Sequence, residues 1–125
     1  MAKVTQFEDL WVWQEARELV RQVHSDVRNT DASKDFAFRD QIQRATLSVM
    51  NNVAEGFERS TNLDFARLLD IAKGSCGEVR SLYYVAEDLG YLSARQAQQR
   101  RDVTKRLAAA IASLAKYLRH THRRG

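Results

Sequence analysis

Apolar residues recur three and four positions apart along nearly the whole chain, the spacing of helices that bury one face. Trp13, Ala16, Val20, Val23 and Val27 keep that spacing with Leu19 beside them, and predict a first helix over about 10–28. Polar Asn29-Thr30-Asp31-Ala32-Ser33 breaks it. Phe38, Ile42, Ala45, Val49 and Val53 predict a second helix over about 35–58. Arg59-Ser60-Thr61 is a tight connection, and Thr61 followed by Asp64 resembles a capping box with a shorter acid. The third helix, about 62–89, carries Phe65, Leu68, Ala72, Ser75, Val79, Leu82, Ala86 and Leu89 in a 3-4 rhythm over about 40 Å. Gly90 stands where a left-handed C-terminal cap belongs, and Ser93 with Gln96 restarts the chain in a capping box. Val103, Leu107, Ala110, Leu114 and Leu118 mark a fourth helix over about 94–120. Three short connections between long amphipathic helices predict an all-α, antiparallel, up-down-up-down four-helix bundle. No repeat or linker interrupts it, so residues 1–125 read as one domain.

Each helix also has a second non-polar face. Trp11 projects about 180° from Val20, away from its own helix's stripe. Leu47, Ala54 and Phe57 lie behind the stripe of the second helix, Gly74, Gly77 and Ser81 opposite Val79, and Ala97, Ala108, Ala112 and Ala115 beside the leucines of the fourth. Small residues allow close helix approach, and exposed tryptophan and leucine are costly to leave wet. The pattern predicts a homo-oligomer whose interface includes Trp11, Leu47, Gly74, Gly77, Ala108 and Ala112.

Composition supports the helical reading, because a chain of 125 residues with no proline and five glycines favours a few long helices over the many turns of a sandwich or barrel. No stretch approaches 18 apolar residues and no signal peptide opens the chain, so a cytoplasmic protein is expected. The net charge of +4 hides an asymmetry. Residues 1–90 hold 11 Lys/Arg against 15 Asp/Glu, whereas residues 91–125 hold nine against one. Such a basic segment serves nucleic acid, an acidic partner, or the acidic flank of another subunit, and it also reads as a solvated helix face with a basic tail.

Catalytic patterns are missing. The residues three before His24, His120 and His122 are Arg21, Tyr117 and Arg119, so the Glu-x-x-His ligands of a di-metal bundle do not occur. No HExxH, P-loop, GxSxG or Rossmann glycine run is present, and no metal or cofactor is expected. The lone cysteine, Cys76, sits mid-helix near the apolar edge and reads as a buried small hydrophobe. Gly74-Ser75-Cys76-Gly77 has the GxxG spacing of a KH loop but lies inside an unbroken helical pattern. A helix-turn-helix needs shorter, steeply crossed helices. The expectation is a protein that is not an enzyme.

A polar stripe remains on the second helix: Arg44, Ser48, Asn51, Glu55 and Arg59, stacked three or four apart. Asn52 lies at the edge of the apolar face and Glu78 flanks the third helix. Arg44, Asn52, Glu55 and Glu78 read as a structural network, with Arg44 paired to Glu55 or Glu78. The sharper alternative makes the stripe the lining of a ligand site or channel.

Phe7-Glu8-Asp9-Leu10-Trp11-Val12-Trp13-Gln14-x-Ala16, Gln41-Ile42-Gln43-Arg44-Ala45 and Ser48-Val49-Met50-Asn51-Asn52-Val53-Ala54-Glu55-Gly56 carry a family resemblance. Phe65, Leu68, Ile71-Ala72-Lys73-Gly74-Ser75, Glu78 and Leu89-Gly90-Tyr91-Leu92 extend it over nearly the whole chain. The sequence resembles the four-helix-bundle proteins encoded in intervening sequences of bacterial 23S ribosomal RNA genes. The resemblance implies a bundle, a ring of five copies, and no catalytic residues to carry over. It extends to the accessory variability protein of diversity-generating retroelements, which implies nucleic acid and a reverse transcriptase as further partners.

Two functions stay open. One is a non-enzymatic oligomer that binds nucleic acid, with ribosomal RNA as a candidate, through Arg95, Arg101, Lys105, Lys116 and Arg119 on the fourth helix. The other is a scaffold or adaptor for another protein, such as a reverse transcriptase. Arg100 projects with Leu107 and is expected to pack its stem on the apolar side.

Overall fold

The computed structural model describes residues 3–121, and His122, Arg123 and Arg124 lie outside it. Its four α-helices are α1 (Trp11–Arg28), α2 (Phe36–Phe57), α3 (Asn62–Asp88) and α4 (Ala94–His120), with short 3₁₀ turns at Phe7–Asp9 and Asp31–Lys34. No strand occurs among the described residues. The predicted boundaries hold to within one or two residues because the sequence supplies the caps. Asp35, Thr61 and Ser93 each accept a backbone N–H from the first turn that follows, and Ser93 with Gln96 closes a full capping box. Gly90, at φ 76°, is the described residue that needs the left-handed region. The Tyr91 N–H then reaches the Ala86 carbonyl (2.9 Å) and the Gly90 N–H that of Glu87 (3.0 Å), a Schellman closure of α3.

One apolar core runs through all four helices. On α2 it holds the expected Phe38, Ile42, Ala45, Val49 and Val53. On α1 the buried stripe is Val12, Ala16, Leu19, Val23 and Val27, so Trp13 and Val20 are half-buried flanks rather than core. Trp13 instead packs on Phe7 of the N-terminal turn, with ring centroids 5.2 Å apart. The correction on α3 is systematic. Leu68 is buried, Ser75 and Leu82 are half-buried, and Leu89 is exposed. A strict seven-residue spacing drifts about 20° per heptad around a straight helix, so this series turns out of the core while Leu69, Cys76 and Tyr83 turn in. On α4, Val103, Ala110 and Leu114 are likewise half-buried, and the core face is Ala97, Arg101, Thr104, Leu107, Ile111, Ala115 and Leu118.

Polar groups tie the helices across the core. The Arg100 guanidinium meets the Asp26 carboxylate in two bonds (2.8 and 3.0 Å), and the Tyr83 hydroxyl donates to the same carboxylate (2.8 Å). This joins α1, α3 and α4. The bond to Asp26 holds the Arg100 pKa above its ordinary range, and burial, then the Asp26 charge, pushes that of Tyr83 up. Between α2 and α3 the Ser48 and Ser75 hydroxyls bond at 2.8 Å, and Phe57 and Phe65 meet edge to face at 6.0 Å. Gly56 sits against Phe65: a Cβ there would stand 2.8 Å from the ring.

Candidate nucleic-acid interface

The five arginines and lysines expected on α4 part company in the structure. Arg95, Lys105 and Lys116 are exposed and have no acidic partner among the described residues. Arg119 is also exposed, but its guanidinium is clasped by the Asp70 carboxylate of α3, which raises its pKa further. Arg101 is a correction: it is 6% exposed and belongs to the core face. Its guanidinium lies 3.9 Å from the centroid of the Tyr84 ring, pairs with Glu87 at 3.0 Å and takes the Gln98 side-chain oxygen at 3.0 Å. The Glu87 contact is an ion pair rather than an aligned hydrogen bond, and Arg101 Nε is left unpartnered. Neighbours on a helix point about 100° apart. Arg101 turns to α3 and Arg100 turns to Asp26, so Arg100 is an ion-pair partner as well as a packing stem.

Further free cations flank these positions. Arg106 on α4, and Lys73 and Arg80 on α3, are exposed and also lack an acidic partner among the described residues. The seven-residue spacing of Lys73 and Arg80, which keeps both on one side of α3, was the available signal.

The α2 stripe does not form the expected network. Arg44 bonds Asp40 on its own helix (2.9 Å) rather than Glu55 or Glu78, and Glu55 pairs with Arg59 (2.7 Å). Glu78 is exposed and has no cationic partner among the described residues. A partner one turn away costs less side-chain ordering than one across the helix seam. Asn52 donates to the Ser48 carbonyl (2.8 Å) and hydroxyl (3.1 Å) of its own helix rather than pairing with Arg44, Glu55 or Glu78.

Of the residues expected between subunits, Trp11 is 54% exposed and Leu47 is exposed. A Cβ added at Gly74 or Gly77 would meet nothing within 4 Å. Ala108 and Ala112 are half-buried, and Ala108 packs against the chain's own core. Leu63, at 68% exposure, Ile71, Val85 and Leu89 add apolar surface to the outer side of α3.

His24 Nδ1 donates to the Val20 carbonyl of its own helix (2.9 Å). Cys76 is buried, and burial pushes its pKa up to about 12, so it is not a thiolate at neutral pH. The described residues contain no group of three His, Cys, Asp or Glu placed to hold a metal. The cavity among Val23, Val27, Phe38, Ile42, Tyr83 and Ala86 is about 10 Å³, the space of one water. Among the described residues no helix is long and apolar enough to cross a membrane.

The profile of the 23S rRNA-intervening sequence proteins matches residues 8–113. The chain belongs to this family. A solved structure gives a comparison of fold. A crystal structure of a protein of unknown function from the S23 ribosomal protein family of Bacteroides thetaiotaomicron superposes with a TM-score of 0.75, covering 84% of this chain and 98% of that one at 19% identity. That likeness concerns the fold. No curated protein matches the chain. Neither the family description nor the structural neighbour names an enzymatic activity.

Proposed function

We propose that this member of the 23S rRNA-intervening sequence proteins is a non-enzymatic, cytoplasmic protein that binds nucleic acid through exposed basic side chains. The observation that carries this reading is the set of unpaired cations on α4: Arg95, Lys105, Arg106 and Lys116 are exposed and face no acidic partner among the described residues. Phosphates are the ligands that such a surface suits, because each Lys or Arg contact releases condensed counterions. The family description makes 23S ribosomal RNA the first ligand to try. Sequence-tolerant binding is expected, since long bundle helices offer no base-reading element for a duplex groove.

The proposal includes an antiparallel bundle assembled into a ring, five copies by resemblance. Arg101 of α4 meets the end of α3 while Arg119 meets its beginning, which supports opposed directions for these two helices. Exposed Trp11, Leu47, Leu63 and Leu89 support self-association. A ring would multiply one basic patch by its copy number. The same apolar surface favours the adaptor reading, in which it docks another protein.

The test is fluorescence anisotropy of labelled structured RNA and duplex DNA at low salt. Wild type should bind both at tens of micromolar or tighter. The variant with Arg95, Arg106, Lys105 and Lys116 changed to Gln should bind both more weakly while keeping its helicity and mass. Absence of wild-type binding would reject the nucleic-acid reading.

A further inference from the structure

The outer seam between α3 and α4 gathers more positive charge than α4 alone. Two ion pairs mark its ends. Arg101 holds Glu87 and stacks on Tyr84 at one end, and Arg119 holds Asp70 at the other. With the helices running in opposite directions between these contacts, Lys73 and Arg80 of α3 and Lys105 and Lys116 of α4 all fall between the two ion pairs. All four are exposed and free of acidic partners among the described residues. Of the acids that border the seam, Asp70 and Glu87 are held by arginines and Asp102 by the Gln98 side-chain amide (2.9 Å), while exposed Asp88 lies one turn beyond Tyr84. Glu78 projects to the α2 side of its helix, away from the seam.

The shape matches the charge. Gly77 has no side chain and open space above it, and the half-buried Ala108 and Ala112 lie on α4 between Lys105 and Lys116. The floor between the two rows of cations is therefore shallow and small. Lys73 and Arg80 lie about 10 Å apart along α3, and Lys105 and Lys116 about 16 Å apart along α4, at 1.5 Å per residue. Tyr84 closes one end with 55% of its surface exposed, its ring positioned by the buried Arg101 guanidinium.

We infer that the α3–α4 seam binds a single-stranded nucleic acid, its phosphates on Lys73, Arg80, Lys105 and Lys116 and an unstacked base on Tyr84. The inference rests on the nucleic-acid reading above and adds the site and the ligand class. A charged track beside an exposed aromatic ring is how single strands are held without sequence preference. A duplex keeps its base faces stacked inside and has nothing to place on Tyr84.

The experiment measures anisotropy of a labelled 20-nucleotide oligo-U and of an RNA duplex of the same length, over a salt series. Lys73→Gln with Arg80→Gln removes two seam cations that lie outside α4. Arg28→Gln with Lys34→Gln removes the same charge from exposed positions elsewhere. The seam variant should lose tenfold or more in oligo-U affinity, and its log–log salt slope should flatten by about 1.4, two contacts at about 0.7 each. The control should stay within about twofold with its slope unchanged. Tyr84→Ala should weaken oligo-U binding by roughly 5- to 150-fold, the equivalent of one stacked base, and leave duplex binding alone. If wild type binds oligo-U but the seam variant matches the control, the seam is rejected while the nucleic-acid reading stands. If Tyr84→Ala leaves oligo-U binding unchanged, the single-strand assignment is rejected. If wild type binds neither probe, both readings fall. A seam variant that changes the oligomer mass instead assigns this face to a second copy and overturns the inference.

Discussion

Asp26→Asn removes one charge from the group that ties α1 to α3 and α4. The native carboxylate accepts two bonds from Arg100 and one from Tyr83, and the side chains of Asp26 and Arg100 are only 13% and 21% exposed. Asparagine keeps the shape but turns an N–H donor toward groups that are themselves donors, and leaves the guanidinium without its counter-charge. Breaking a fully buried pair costs about 3–5 kcal/mol, and water reaching the edge of this one reduces the expectation to about 2–4 kcal/mol. Arg100→Met should cost a similar amount because it strands the carboxylate. The double variant should recover about 1–3 kcal/mol relative to the sum of the singles. Urea unfolding followed by circular dichroism reads these differences. Two protein concentrations are needed, since self-association stabilises the folded state by mass action. If both single variants fall within about 0.5 kcal/mol of wild type, the three-helix tie contributes nothing and its geometry is incidental.

Three further outcomes follow from local structure. Gly74→Ala and Gly77→Ala should each stabilise the fold by up to about 1 kcal/mol through helix propensity, while Gly56→Ala should destabilise it because its Cβ meets the buried Phe65 ring; thermal melts of all three decide this, and a loss of oligomer mass at Gly74 or Gly77 would locate a subunit contact. Cys76 should resist iodoacetamide in the native protein and react once urea unfolds it, and native labelling would contradict its burial. The Tyr91 hydroxyl and then the Phe38 N–H hold the Asp35 pKa below its ordinary value, so its contribution is complete above that value and is lost as pH falls through the lower folded one; Asp35→Asn should flatten the acid limb of the melting temperature against pH, and an unchanged limb would refute the assignment.

The caps and the α2 stripe were legible because each depends on residues within one or two turns. Ser93 and Gln96, Gly90, and Phe38 through Val53 needed no partner helix to be read. The α3 rhythm holds at Phe65, Ala72, Val79 and Ala86 but not at Ser75, Leu82 and Leu89, because a perfect heptad reads as a core stripe whereas a straight helix lets its edge drift outward. Arg100 and Arg101 could not be sorted from α4 alone. Which one turns inward is decided by Tyr84 and Glu87 on α3 and by Asp26 on α1, all distant in sequence. The same limit hid the seam, since Lys73 and Arg80 join Lys105 and Lys116 only once the helix register is known. Arg44 went astray for a different reason: Asp40 offered a partner on the same helix.

The salt dependence of wild-type binding to structured 23S ribosomal RNA fragments decides whether the basic seam holds nucleic acid. Four seam contacts predict that log affinity falls against log salt with a slope of about −3 for single-stranded regions, and steeper where Arg95 and Arg106 add contacts. A slope near zero, or no binding at low salt, would contradict the account and leave the exposed apolar face of α3 as the working surface of the protein.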